Sequence, residues 1–208
     1  MTQPTKTDNH DPTAKLCLRH YFLRKYHGDG TARVMDCCMG TGFLWRELRK
    51  THKIESYLGL DVKPKKGRLK IDSARYLEAG GWDHNCIDVD TYGCPWHHWF
   101  ALLANLPYGK ATVFLTIGKG LRGLSIISKD SLAAMGLAGF KIPPAIQGRL
   151  WGHAFTYCIA ASRQQDIEIT EAIEATSTGN ARYIGMRIEK SKSSIDINRL
   201  ICDTISRQ

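Results

Sequence analysis

The stretch Arg33-Val34-Met35-Asp36-Cys37-Cys38-Met39-Gly40-Thr41-Gly42 decides how this chain is read. A short apolar run ends in a carboxylate and passes into a turn with two glycines. Residues 43–50 follow as a helix, with Leu44, Trp45 and Leu48 apolar. A strand that leaves through such a turn brings backbone N–H groups up to a ligand at a helix N-terminus. The same pattern also makes an ordinary strand–helix connection, so the surrounding sequence has to choose between the two.

Downstream, the pattern repeats. Ser56-Tyr57-Leu58-Gly59-Leu60-Asp61 is a second apolar run ending in an acid. Asp61 lies nineteen residues after Gly42 (61 minus 42), where nucleotide-binding βαβ units place a ribose-binding carboxylate. Arg68-Leu69-Lys70-Ile71-Asp72 reads as a third strand, with residues 73–80 helical. His84-Asn85-Cys86-Ile87-Asp88-Val89-Asp90 reads as a fourth, and Thr91-Tyr92-Gly93-Cys94-Pro95 as a turn. Pro95 opens a helix over residues 96–104, which suits proline at a first helical position. Ala111-Thr112-Val113-Phe114-Leu115-Thr116-Ile117 is a fifth, strongly β-branched strand. Helices are expected over 129–138 and 145–162. Residues 167–176 and 181–188 flank the turn pair Gly179-Asn180 and form a hairpin.

Before the first strand, residues 14–26 form an amphipathic helix. Leu18, Tyr21, Phe22 and Tyr26 share a face, with Arg19, Arg24 and Lys25 largely outside it. That helix is expected to cover the sheet edge; the functional alternative is a basic face gripping phosphates. Alternation of strands and helices means an α/β fold with a Rossmann-like, doubly wound and mostly parallel sheet, here of seven strands with a C-terminal antiparallel hairpin. Ligands in such sheets bind outside the carboxyl ends of the strands, where the acids cluster. The expected organisation is a disordered leader over 1–13, one domain over 14–190 and a tail over 191–208, with 194–206 able to form one apolar helical face.

Composition limits the partners. The 208 residues carry 29 basic and 20 acidic side chains, a net charge of +9, which favours an anionic partner such as nucleic acid. The lysine-rich run of residues 63–70 reads as a solvated loop. The seven cysteines form no C-x-x-C pair and no metal-ligand spacing with histidine, so no metal is expected and the thiols read as reduced in a cytoplasmic protein. The apolar runs are too short to span a bilayer, and the polar N-terminus has no signal-peptide segment.

With these elements in order, the chain resembles the class I S-adenosylmethionine-dependent methyltransferases over roughly residues 31–190. Asp36-x-x-x-Gly40-x-Gly42 matches their first motif, and Asp61 and Asp72 match the acids after the second and third strands. The resemblance implies S-adenosylmethionine as cofactor, held by Asp36, Gly40, Thr41, Gly42, Asp61, Val62, Asp72 and Ser73. Asp61 would take the ribose hydroxyls and Asp72 the adenine amine. Asp88-Val89-Asp90-Thr91-Tyr92-Gly93-Cys94-Pro95 is similar to the D-x-D-P-[F/Y]-G-[S/T]-P motif of the tRNA guanine N2-methyltransferases, with Thr91 and Cys94 as departures. It implies N-methylation of a base amine, RNA favoured over DNA. Asp90 would accept the amine proton, Tyr92 would stack on the base, and Asp88, Gly93 and Pro95 would shape the substrate turn.

Asn105-Leu106-Pro107-Tyr108 resembles the N-L-P-Y motif of rRNA adenine dimethyltransferases and is related to DNA amino-methyltransferase motifs. It follows a helix and leads into a strand, so it reads as a loop and Asp90 to Gly93 as the catalytic turn. Trp96 and Trp99 read as core, and His97 and His98 as exposed helix residues. Two other classes compete. A dinucleotide-dependent dehydrogenase would favour a third glycine at position 45, which is Trp45. A catalytically inactive nucleic-acid-binding module would keep the fold and the basic surface.

Overall fold

The fold is given by a computed structural model and described for residues 12–63, 70–91, 93–118, 127–175 and 181–191. The helix α1 (Pro12–Tyr26) is followed by β1 (Arg33–Asp36), α2 (Phe43–Leu48), β2 (Ser56–Gly59), α3 (Ser73–Ala79), β3 (Cys86–Val89) and α4 (Trp96–Asn105). Then come β4 (Gly109–Gly118), α5 (Lys129–Ala134), α6 (Pro144–Ala160), a 3-10 turn (Ala161–Gln165), β5 (Ile167–Ala175) and β6 (Ala181–Lys190). The sheet order is β2-β1-β3-β4-β6-β5. Its first four strands are parallel, and β6 runs antiparallel to both neighbours.

Six strands are therefore present among the described residues, not the expected seven. The difference lies at residues 68–72. Residues 64–69 are outside the described set, and 70–72 form no strand. The Asp72 side chain accepts from the N–H groups of Ala74 and Arg75, which caps α3 and turns the chain away from a ladder. The hairpin strands are as expected, although the turn at Gly179-Asn180 lies outside the described residues, as do the tail over 194–206 and most of the lysine-rich run.

Side chains alternate across the strands and build two cores. Met35, Ile87, Val89, Val113, Leu115 and Ile117 face α4 and α6, packing with Trp96, Trp99 and Leu102. Trp99 donates its indole N–H to the Cys158 carbonyl at 2.8 Å. Val34, Cys86, Phe114 and Tyr183 face the other way, toward Leu18 and Phe22 of α1 and Trp45 and Leu48 of α2. So α1 does not cover the sheet edge; it lies on the face formed by β4, β6 and β5. The Phe22 ring meets Phe114 edge-on at 5.7 Å and lies over Gly185, where an added Cβ would come within 2.6 Å of it. No helix among the described residues is long and apolar enough to cross a membrane.

His27, just after α1, is buried, and its Nε2 lies 3.0 Å from the Thr112 hydroxyl. Burial, helped by the Arg187 charge, pushes its pKa from 6.5 down to about 4. The unfolded chain takes up this proton as the pH falls below 6.5 while the folded chain refuses it until about 4. Stability is expected to fall by about 2–3 kcal/mol across that window. Urea denaturation at several pH values checks this, with a shallower slope expected for His27→Gln.

Candidate active site

The parallel registers bring the strand ends together. Asp36, the last residue of β1, stands opposite Gly59 on β2 and Asp88 on β3. Asp61 and Asp90 each lie two residues beyond those partners, so all four acids reach one edge of the sheet. The backbone knits that edge: Cys37 N–H donates to the Asp88 carbonyl (2.8 Å), Leu60 N–H to Asp36 (2.8 Å) and Met39 N–H to Leu60 (3.0 Å).

Gly40 and Gly42 adopt left-handed φ values of 53° and 69°, which a side chain would strain. Gly40 N–H donates to Asp61 Oδ2 at 2.8 Å, and Lys63 N–H donates to Asp61 Oδ1 at 2.7 Å. Gly42 closes the turn on the Met39 carbonyl at 2.7 Å and starts α2. Thr41 and Val62 are exposed at this rim. A pocket opens beside the turn, lined by Met39, Thr41, Gly42, Arg46, Arg49 and Tyr57.

Three acids point toward α1 and α2. Asp88 is 1% exposed and fully engaged. Arg19 donates to it through Nε (2.7 Å) and Nη2 (2.6 Å), and the Trp45 indole N–H donates at 2.8 Å. Burial works against the Arg19 charge, but Asp88 holds its pKa above the usual value. Asp90 receives the Lys15 ammonium on both oxygens at 2.7 Å, with the Thr116 side chain nearby on β4. Burial would raise the Asp90 pKa; Lys15 and then Arg19 outweigh it, and the carboxyl is held below its ordinary range. Asp36 accepts from the Tyr57 hydroxyl at 2.8 Å and has no ion-pair partner among the described residues. Burial, followed by the neighbouring Asp88, pushes its pKa well up.

Helix and strand spacing explain the pairing. Lys15 and Arg19 are one turn apart, a rise of about 6 Å at 1.5 Å per residue. Asp88 and Asp90 are two residues apart on a strand, about 6.6 Å. A helix lying antiparallel to β3 therefore presents one cation to each acid.

The remaining expected residues divide. Asp72 serves as the α3 cap, and Ser73 is buried with its hydroxyl 2.9 Å from His98 Nε2. His98 is therefore half-buried and bonded, whereas His97 is exposed as expected. Gly93 takes a φ of 96°, and its carbonyl accepts from Gly118 N–H at 2.6 Å, pinning the turn to the end of β4. Pro95 is buried at the start of α4, and Tyr92 lies outside the described residues. Asn105 ends α4 and donates to the carbonyls of Ala101 (3.1 Å) and Glu78 (3.3 Å). Because β4 starts at Gly109 and runs parallel to β3, Asn105 to Tyr108 sit at the edge opposite the glycine turn.

Lys15, Arg19, Trp45, Tyr57 and Thr116 are absent from the expected site, and the expectation that Arg19 faces outward is wrong: it is 1% exposed. The signal was present. Lys15, Leu18, Arg19 and Phe22 follow the i, i+3, i+4, i+7 spacing of a buried stripe.

No protein-family model matches the chain, and no curated protein matches it. Solved structures do. Trm1 from Pyrococcus horikoshii, in complex with S-adenosyl-L-methionine, superposes with a TM-score of 0.59 at 12% identity, over 87% of this chain and 56% of Trm1. A candidate hemolysin from Streptococcus thermophilus gives 0.54 at 12% identity, over 87% of this chain and 67% of that one. The plantazolicin methyltransferase BpumL, in complex with SAH, gives 0.51 at 10% identity, over 88% and 87%. The chain has the fold of the class I S-adenosylmethionine-dependent methyltransferases. It spans little more than half the length of Trm1.

Proposed function

We propose that this chain is an S-adenosylmethionine-dependent methyltransferase that N-methylates a base amine in nucleic acid, RNA before DNA, in the manner of guanine N2 methylation in tRNA. The carrying observation is the pairing of Asp36 with Asp88 across β1 and β3, which sets the glycine turn and Asp90 side by side at one sheet edge. The donor set suits the cofactor. Gly40 and Gly42 keep the turn narrow, Asp61 stands at the rim, and Asp36 is a buried carboxyl with no ion-pair partner among the described residues, which a positively charged ligand would favour in its ionised form. S-adenosylmethionine supplies an electrophilic methyl group when bound. Asp61 would hold ribose hydroxyls. The exposed Asp72 keeps one oxygen outside its cap for the adenine amine, with Val62 and Ser73 beside these acids.

The chemistry left to the protein is to prepare an amine whose lone pair is delocalised into a base. An ionised Asp90 accepts one amine N–H, localises the lone pair and takes up the developing charge. Tyr92 would stack on the extruded base, worth ~1–3 kcal/mol, with Asp88, Gly93 and Pro95 holding the turn. Support for a nucleic-acid substrate comes from the net charge of +9 and the similarity of residues 88–95 to the guanine N2 motif.

Calorimetry with S-adenosylmethionine and with NAD tests the cofactor. Binding of the first alone is expected. Asp61→Ala should weaken it by roughly 10- to 100-fold, the loss of hydrogen bonds to a charged acceptor. Absence of S-adenosylmethionine binding overturns the reading. Labelled cofactor with total tRNA, rRNA, DNA and protein then identifies the polymer: label in DNA or rRNA favours an adenine or cytosine amino-methyltransferase, and label in none an inactive binding module.

A further inference from the structure

We propose that Lys15 is a positioning residue of the active site, its ammonium laid across both oxygens of Asp90 to keep that carboxylate ionised and aimed at the substrate amine. This rests on the assignment of Asp90 above, but its physical core, the pairing itself, stands on geometry alone. Lys15 Nζ lies 2.7 Å from each Asp90 oxygen, with side chains 5% and 14% exposed. The ammonium is held from a second side, 5.1 Å from the centre of the Tyr183 ring on β6. Its own turn of α1 is pinned, because Arg19 Nη1 donates to the Lys15 carbonyl at 3.0 Å.

The surroundings say what the ammonium is for. Asp90 faces Lys15 and Arg19 from α1, Asp36 from β1, the Cys38 thiol just after β1 and Thr116 from β4, with Asp88 two residues before it in sequence. Three acids thus crowd two cations, and Asp36 pairs with neither. Arg19 is committed to Asp88 by two hydrogen bonds. Without Lys15, Asp90 would be a buried acid beside two others, and protonation would be the way to relieve the repulsion. A protonated carboxyl presents an O–H to the amine instead of an acceptor, so the catalytic hydrogen bond would be lost. Each carboxylate oxygen has two acceptor positions, about four in all. The ammonium uses one on each oxygen, which leaves acceptor positions for the substrate.

The test compares wild type, Lys15→Met and Lys15→Arg by two readouts. The first is the titration of the Asp90 carboxyl followed by ¹³C NMR, assigned by its loss in Asp90→Asn. In the wild type its midpoint is expected below that of free aspartate; a midpoint at or above that value overturns the proposal without any Lys15 variant. In Lys15→Met the midpoint is expected to rise by a unit or more, and Lys15→Arg is expected to restore it. The second readout is the pH profile of methyl transfer. Its acid limb is expected to move up with the midpoint in Lys15→Met, a roughly tenfold loss below the limb that is regained at higher pH. Cofactor affinity should stay within about twofold, because Lys15 lies on the acceptor side. A purely structural lysine would also move the midpoint, since any ion pair shifts its carboxylate, but it would lower stability and leave the acid limb of transfer where it is, which overturns the proposal. If no substrate is ever methylated, the function proposal falls and the positioning role falls with it, while a failed NMR titration overturns the pairing by itself, so the two failures are distinguishable.

Discussion

Arg19→Met is expected to lose about 3–5 kcal/mol of stability, measured by urea denaturation, because it strips a buried carboxylate of its cation. Asp88 is 1% exposed and takes two hydrogen bonds from Arg19; the Trp45 indole, its other partner, is neutral. The nearest acids, Asp36 and Asp90, add repulsion that Arg19 offsets. For a domain with 5–15 kcal/mol in total, such a loss leaves a marginal fold. Arg19→Met combined with Asp88→Asn is expected to be more stable than Arg19→Met alone, since the amide removes the orphaned charge and still accepts from Trp45. If the single variant loses under about 1 kcal/mol, the pair does not hold α1 in place against the sheet.

Asp90→Ala is expected to reduce methyl transfer by roughly 10²- to 10⁴-fold, the range for loss of a positioned proton acceptor. Cofactor affinity should change little, since Asp61 and the glycine turn belong to β1 and β2. That separation makes the outcome readable: a loss in kcat with an unchanged Kd for S-adenosylmethionine marks a group acting on the acceptor. Equal incorporation of label by wild type and variant would falsify the assignment. Asn105→Ala serves as the contrast. Its side chain ties the end of α4 to Glu78 at the opposite edge, so it is expected to affect stability and leave transfer intact.

Much of the molecule was legible from period and punctuation. Apolar runs ending in Asp36, Asp61 and Asp88-Val89-Asp90 marked the strand ends, because a buried parallel strand can end in polar groups only where it meets solvent or a ligand. The same reasoning put Trp96 and Trp99 in the core, where they are 3% and 0% exposed. It failed at Asp72, where one acid could close a strand or cap a helix. The local hydrogen bonds to Ala74 and Arg75 favour the cap. It fails again at α1, where charge does not mark the solvent face. Arg19 sits between Leu18 and Phe22 on the buried stripe, and only the acids across the packing interface make that tolerable. Pairings between residues 69 or 75 positions apart leave no trace in local periodicity.

The match between one helical turn and two strand residues makes α1 a ruler. Lys15 meets Asp90 while Arg19 meets Asp88, and each reading confirms the other. A slide of one turn would carry Arg19 to Asp90 and leave Asp88 with no cation. Deleting a single residue between them would swing one cation about 100° around the helix, away from the sheet. Insertions and deletions in residues 15–19 should thus be far less tolerated than substitutions on the outer face of the same helix, at Tyr21 or Lys25. The alignment of the helix with the strand is written in length as much as in charge.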